Sequence, residues 1–217
     1  MSRGLQKADS GFGDLQGDRR SLTKGERQRQ AILASLVEQL RTKPIGDLTV
    51  GEIAAAAGVQ RSNYYSYFES KYSALAVVDA EIWSDLIDRV EIFARAPSDS
   101  VDEFLRVASA ATAEVWKTHD AVLIASIQAL PADEQIASMW RDWNTRITDI
   151  VTEKIRKVNA DKHGDPLSPD LRYRVATLME MTLHMFYKDR VDRCAEEETQ
   201  RMLDTVRAIW LASLWDD

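Results

Sequence analysis

Residues 48–71 read LTVGEIAAAAGVQRSNYYSYFESK, and the order of signals within them decides the fold. Thr49 followed three residues later by Glu52 is a capping box, in which each side chain satisfies a backbone N–H of the other residue, so a helix is expected from Val50. Ile53, Ala54 and Ala57 give that helix an apolar side, and Gly58 falls where a left-handed residue stops it. Val59 renews the apolar contact. Gln60, Arg61 and Ser62 then lead into Asn63-Tyr64-Tyr65-Ser66-Tyr67-Phe68, dense in hydrogen-bonding side chains. Helix, tight turn and helix within about 20 residues is the helix-turn-helix arrangement, whose second helix lies in the DNA major groove.

Upstream, Thr23 and Glu26 form another capping box, and Ile32, Leu33, Leu36, Val37 and Leu40 line one face of the helix it opens. Pro44 disfavours helix at Lys43, so this helix ends by about Thr42. Its stripe needs the two short helices to cover it, with Ile45 and Leu48 plugging the shared core from the loop. Residues 23–70 thus form a three-helix, helix-turn-helix DNA-binding domain. Residues 1–22 contain Gly4, Gly11, Gly13 and Gly17 without a period and are expected to be a flexible arm. Arg3, Lys7, Arg19 and Arg20 could reach phosphates or a minor groove from it, and an inert tail is the other reading.

Downstream, Ser70 is the expected N-cap of a long helix with Lys71 in its first turn. Leu75, Val78, Ile82 and Leu86 recur at three- and four-residue steps, and the pattern persists to about Arg95. At 1.5 Å per residue such a helix is about 35 Å long, enough to join a small DNA-binding unit to a separate body. Further helices are expected over 101–119, 121–130, 132–159, 171–189 and 197–215, with a loop over 161–169. Residues 71–217 are therefore read as a second, helical domain of an all-α protein.

Composition agrees with that class. The chain has 217 residues, 45% of them hydrophobic, with only nine glycines and five prolines to punctuate it. The lone cysteine, Cys194, rules out an internal disulfide and points to a reducing cytoplasm. No run of about 18 apolar residues is present, which excludes a membrane-spanning helix, and the polar N-terminus lacks a signal-peptide core. The net charge of −7 speaks at first against nucleic acid. Its distribution reverses that: residues 19–75 carry nine Lys/Arg against five Asp/Glu, whereas residues 76–217 carry 17 against 27. A basic segment beside an acidic remainder fits a DNA-binding module on a body that repels phosphate.

The run of a long first helix, LTVGEIAAAAGV, NYYSYF and an SK opening a linker helix resembles the TetR family of bacterial transcriptional regulators over roughly residues 27–77. The segments Met139-Trp140-Arg141-Asp142-Trp143 and Arg207-Ala208-Ile209-Trp210-Leu211-Ala212-Ser213 resemble the EthR group of that family. The resemblance implies a homodimer, joined through the last two helices, that reads a palindromic double-stranded operator. It implies that Arg61, Ser62, Asn63 and Tyr65 face base edges or nearby phosphates and that Tyr67 and Lys71 hold the backbone. Arg can bond bidentately to guanine and Asn to adenine, while Tyr hydroxyls and a Lys at a helix start suit phosphate oxygens. Thr49 meets phosphate at the start of its helix, where free N–H groups favour an anion. Ser66 belongs to the same surface but is smaller than the aromatic residue often found there, and Gly51 replaces a base-contacting side chain. Tyr64 and Phe68 are assigned to packing.

Of six tryptophans, Trp116, Trp140, Trp143, Trp210 and Trp215 lie after residue 100. Ordinary core packing accounts for any one of them. The resemblance implies instead that Trp116, Trp140, Trp143 and Trp210, with Leu105, Thr112, Leu178 and Met181, line a tunnel for a small apolar effector. Met179, Met181 and Met185 add adaptable surface. His119, His163 and His184 stand apart with no metal-type pair, so no metal and no cofactor is expected. Arg190 and Arg193 could lower the pKa of Cys194. The run Glu196-Glu197-Glu198 suits a helix N-terminus. No Gly-rich phosphate loop, nucleophile elbow, zinc signature or paired-carboxylate constellation is present, so no enzyme is expected. The expected function is a repressor released from its operator by the effector. The alternatives are a helical small-molecule-binding protein without specific operator binding, or a regulator controlled by a protein partner.

Overall fold

Every expected helix start that rests on a side-chain cap is found where the capping residues stand. The computed structural model describes residues 23–96, 100–161 and 167–215, and the expected arm, residues 1–22, lies outside them. Helix α1 (Lys24–Leu40) opens on the Thr23 box, with Glu26 Oε2 accepting from the Thr23 amide at 2.6 Å. Helix α2 (Val50–Ala56) opens on Thr49, α3 (Arg61–Tyr64) follows the turn, and α4 (Lys71–Arg95) opens on Ser70. Helices α5 (Val101–Ala129), α6 (Glu134–Asp161), α7 (Leu171–Asp192) and α8 (Glu196–Ser213) complete the order. Among the described residues there is no β-strand, only an isolated antiparallel bridge between Leu167 and Trp215. None of these helices is long and apolar enough to cross a membrane.

The first core forms under α1, where Ile32 and Leu36 are fully buried and Ile45 and Leu48 plug the loop side. Ser35 Oγ donates to the Ile53 carbonyl at 2.9 Å, which pins α2 to α1. Helix α4 then leaves this unit and runs into the body. Its first turns, with Ala74 and Leu75 buried, lie against α1, and Ile82, Trp83, Leu86, Ile87 and Val90 are buried farther along, where α4 packs between α5 and α6. Helix α5 also touches α1 and the short 3-10 turn Ile45–Asp47, so the helix-turn-helix unit rests directly on the body.

The break expected between 119 and 121 is found: α5 leaves helical geometry at His119 (φ −119°, ψ 23°), where two helical stretches meet at a kink. The Asp120 carboxylate accepts from the Ala121 amide at 2.6 Å, which satisfies a donor where the helix ladder opens, so the chain bends and continues. Helix α7 runs three residues past 189 and stops at Arg193, held in the left-handed conformation (φ 53°), with the Cys194 amide bonded to the Asp189 carbonyl at 3.1 Å. The buried Asp189 explains the extension: it pairs with Arg190 and accepts from Thr199 Oγ1 at 2.8 Å, joining the end of α7 to α8. Helix α8 is further tied to α5 by Arg207 and Asp102 at 2.7 Å.

Candidate nucleic-acid interface

The geometry of α2 and α3 follows from two local devices. Thr49 Oγ1 accepts from the Glu52 amide at 3.2 Å while the Glu52 carboxylate accepts from the Thr49 amide at 2.8 Å and the Thr49 hydroxyl at 2.7 Å. Lys43 Nζ reaches the same carboxylate at 2.8 Å. The Lys43 ammonium first, and then Thr49, hold the Glu52 carboxyl down to about 2, so the box stays charged and closed at neutral pH. At the other end Gly58 takes φ 68°, and a Cβ there would meet nothing within 4 Å. Glycine is required for the backbone conformation alone.

Helix α3 is a single turn, Arg61–Tyr64, and continues to Phe68 as hydrogen-bonded turns, with the Tyr67 and Phe68 amides bonded to the Tyr64 carbonyl at 2.9 and 3.0 Å. A longer regular helix was expected through 68. The turn segment presents two unlike faces. Tyr64 and Phe68 are buried, their rings 5.7 Å apart, in the core under α1. Arg61, Ser62, Asn63, Tyr65 and Ser66 are all exposed on the other face, and Thr49 is exposed at the start of α2. The Arg61 guanidinium lies over the Tyr65 ring at 5.9 Å and its Nη2 is 3.4 Å from the Tyr65 hydroxyl. Stacking of this kind limits the rotamers of a long cation and keeps it near its exposed neighbours.

Tyr67 and Lys71 are placed differently. Both are half-buried and already hold protein partners. The Tyr67 hydroxyl donates to Gln28 Oε1 at 2.9 Å, and Lys71 Nζ donates to the Gly46 and Leu48 carbonyls at 2.8 Å each. Burial draws the Lys71 pKa below its ordinary value, with Asp47 and Glu52 acting against it and Lys43 with it. Lys71 keeps one N–H for an external acceptor, and Tyr67 keeps its lone pairs but has committed its proton. The sequence reading missed Gln28 and Lys43, whose part depends on packing between segments far apart in the chain.

The residues expected around an effector are dispersed through the body. Leu105, Trp116, Trp140, Leu178 and Trp210 are buried, and Thr112, Trp143 and Met181 are half-buried. Trp116 stacks on Phe186 with ring centroids 6.1 Å apart, and Trp210 Nε1 donates to Thr182 Oγ1 at 2.9 Å. Trp140 and Trp143 both pack on Trp83 of α4, at 4.9 Å edge-on and 5.3 Å stacked. Three of the eight border clefts, and the clefts are separate. Trp116 lies beside one between α5, α7 and α8, Leu178 beside one between α7 and α8, and Trp140 beside one of about 450 Å³ where α5, α6 and α7 meet.

The expectation for Cys194 is corrected. Its thiol pKa is raised by burial first, and then by Asp189 and Glu198, because the Arg190 charge is taken up by Asp189. The acidic run, by contrast, does sit in the first turn of α8, with Glu198 reaching back to the Ala195 amide at 3.3 Å.

Residues 105–216 match the family described as the C-terminal domain of the transcriptional regulator EthR, and residues 32–76 match the bacterial regulatory proteins of the tetR family. The HTH-type transcriptional regulator EthR of Mycobacterium tuberculosis is 23% identical over 202 residues, covering 93% of this chain and 93% of that one. The fatty acid degradation regulator FadR of Bacillus halodurans superposes with a TM-score of 0.68 at 14% identity, over 85% of this chain and 94% of that one. Thermus thermophilus FadR, a repressor solved in complex with lauroyl-CoA, superposes with a TM-score of 0.59 at 18% identity, over 87% and 96%. At these identities the structural likeness is one of fold.

Proposed function

The chain belongs to the TetR family of bacterial regulatory proteins, with a C-terminal half of the EthR type, and from that premise we propose that this DNA-binding regulator is a homodimeric repressor released from a palindromic operator by a small effector. One observation carries the reading. Arg61, Ser62, Asn63 and Tyr65 stand exposed together on a segment whose opposite side, Tyr64 and Phe68, is buried in the core. Buried anchors orient the segment, and the exposed set contains the side chains that pair bidentately with guanine and adenine. In this assignment Arg61 and Asn63 face bases, with Ser62, Tyr65 and Ser66 beside them. Lys71 contacts phosphate with its remaining N–H from a position set by the 46–48 carbonyls, and Thr49 and Tyr67 contact phosphates by exchanging their hydroxyl bonds to Glu52 and Gln28 for bonds to phosphate oxygens.

Residues 23–70 act as the DNA-binding domain and residues 71–217 as the effector and dimerisation domain. The last two helices supply the dimer interface, a role supported by Tyr173 and Ile209, which are 77% and 40% exposed on α7 and α8. Two copies would place their α3 segments in successive major grooves, about 34 Å apart. Release follows if the effector binds better to a state in which that spacing is wrong. Helix α4 is the transmitting element: its N-terminus is fastened to the helix-turn-helix unit and its middle, including Trp83, is packed between α5 and α6. An electrophoretic shift with the DNA upstream of the protein's own reading frame tests the proposal. Retarded, competitor-resistant complexes are expected, and unchanged affinity in Tyr65→Ala and Lys71→Ala would overturn it.

A further inference from the structure

Among the described residues, the buried side-chain polar atoms that find no hydrogen-bond partner fall in three places: both oxygens of Asp79, Nε1 of Trp83 and Oδ1 of Asn144. A fully buried carboxyl group whose oxygens close no hydrogen bond of ordinary geometry is costly to ionise, and such groups persist where function requires them. Asp79 is fully buried on α4. The Ser126 hydroxyl and the Trp83 indole lie close enough to ease its charge, though less than burial disfavours it: the hydroxyl donates to the Val122 carbonyl at 3.0 Å, and the indole N–H closes no bond of ordinary geometry.

These atoms adjoin an aromatic cluster. Trp83, one helical turn from Asp79, holds Trp140 edge-on and Trp143 face-on. Trp140 and Asn144 in turn line the cleft of about 450 Å³ between α5, α6 and α7, together with Ile127 of α5 and Leu183 of α7. That cleft offers the aromatic rings of Trp140 and Tyr187, the Asn144 and Gln128 amides and the Glu180 carboxylate. Among its lining residues His184 is the only basic side chain, with no Lys or Arg.

We propose that this cleft, extended inward past Trp140 and Trp83 to the Asp79 carboxylate, binds a lipophilic organic cation, an amine carrying an apolar tail. The chemistry is complementary at each point. With Asp79 ionised, as a cation beside it would favour, three of the four unpaired atoms are acceptors, which an ammonium can satisfy with its N–H donors. Indole faces attract a desolvated cation, and an ion that is paired, hydrogen-bonded and ringed by aromatic groups meets the conditions under which a charge is buried. Asp79 lies on α4, so seating a head group beside it would separate α4 from α6 at the Trp83 contact. The inference deepens the effector reading above, and it replaces a purely apolar ligand with one whose head is charged.

Three probes with one tail decide it: n-decylamine hydrochloride, 1-decanol and sodium decanoate, titrated into the full chain below micellar concentrations while tryptophan fluorescence is followed. The amine should bind about tenfold or more tighter than either of the others, the scale expected of a desolvated ion pair with cation–π support. Asp79→Asn should bring the amine to within about twofold of the alcohol and leave the alcohol unchanged. Asn144→Leu should weaken the amine selectively as well. Equal affinity for the three head groups in the unmutated chain overturns the assignment without recourse to any variant, as does failure of the amine to bind. An amine preference that survives Asp79→Asn overturns it too. Mobility shifts run with the same probes keep the two readings apart. Asp79-dependent amine binding that leaves DNA affinity unchanged upholds the site and sinks effector release, whereas release by decanol as readily as by decylamine sinks the cation assignment alone.

Discussion

The Tyr64 hydroxyl donates to the Ser70 carbonyl oxygen at 3.0 Å. That bond joins the segment carrying Arg61 and Asn63 to the N-cap of α4, and burial keeps the phenol a proton donor by pushing its pKa up to about 12. Lys71, one residue on, is bonded to the 46 and 48 carbonyls that precede α2. Both ends of the helix-turn-helix are thereby attached to the first turn of α4, and a tilt of α4 in the body must carry the unit with it.

Tyr64→Phe removes that bond while keeping the ring in its place against Phe68. Global stability in urea should fall by about 1 kcal/mol, the net worth of one partly buried hydrogen bond, together with the cost of leaving the carbonyl unpaired. Operator affinity should fall more than affinity for unrelated DNA, because the segment loses its tie to α4. Unchanged unfolding midpoints and unchanged affinities would count against a tethering role.

Gly58→Ala should destabilise the chain by about 1–2 kcal/mol, since a side chain at φ 68° is strained although the space around it is open. Gly46→Ala is the control: it has no such φ and equally open space, and it should change thermal stability by no more than a few tenths of a kcal/mol. Equal effects at the two positions would show that the turn tolerates another backbone conformation.

Lys71→Met and Tyr67→Phe separate phosphate grip from base reading. Each should weaken operator and unrelated DNA by similar factors, and Lys71→Met should reduce the slope of log affinity against log salt by about one. A loss confined to the operator would move these residues to the base-reading set.

Asp79 sets a pH dependence whose sign is opposite to that of ordinary carboxylates. Burial raises its carboxyl from 3.8 to about 7, so between those values the folded chain holds a proton that the unfolded chain has lost. Its contribution is most favourable below about pH 4, declines as pH rises, and levels off above about pH 7, a total change on the order of 2–4 kcal/mol. Asp79→Asn should therefore be the more stable chain at pH 8, with the gap closing toward pH 4 in urea titrations. A gap independent of pH would show that the carboxyl titrates normally.

The caps at Thr23, Thr49 and Ser70 and the stop at Gly58 were legible because each depends on residues within a few positions of one another. The inward turn of Tyr64 and the exposed set Arg61, Ser62, Asn63 and Tyr65 were legible through the resemblance to the TetR family, whose pattern assigns those two faces. The interruption at His119 was legible; what the sequence did not show is that the Asp120 carboxylate, accepting from the Ala121 amide, lets the helix resume at once as a bend. The occupation of Lys71 and Tyr67 was hidden for a different reason: their partners, Gly46, Leu48 and Gln28, lie 23 to 39 residues away. The body was the least legible, because aromatic residues on five helices can pair in many ways and only packing chooses Trp83 with Trp140 and Trp143. Asp79 did leave a trace, an acid four residues after Leu75 and three before Ile82, within the apolar stripe itself.

The central claim, that Arg61 and Asn63 read bases, is met most directly by fluorescence anisotropy with the operator and with a scrambled duplex of equal length, at two salt concentrations. Asn63→Ala and Arg61→Ala should each cost about 1–3 kcal/mol on the operator and little on the scrambled duplex, lowering the ratio of the two affinities without changing the salt slope for Asn63→Ala. An affinity ratio that both substitutions leave unchanged would contradict the account.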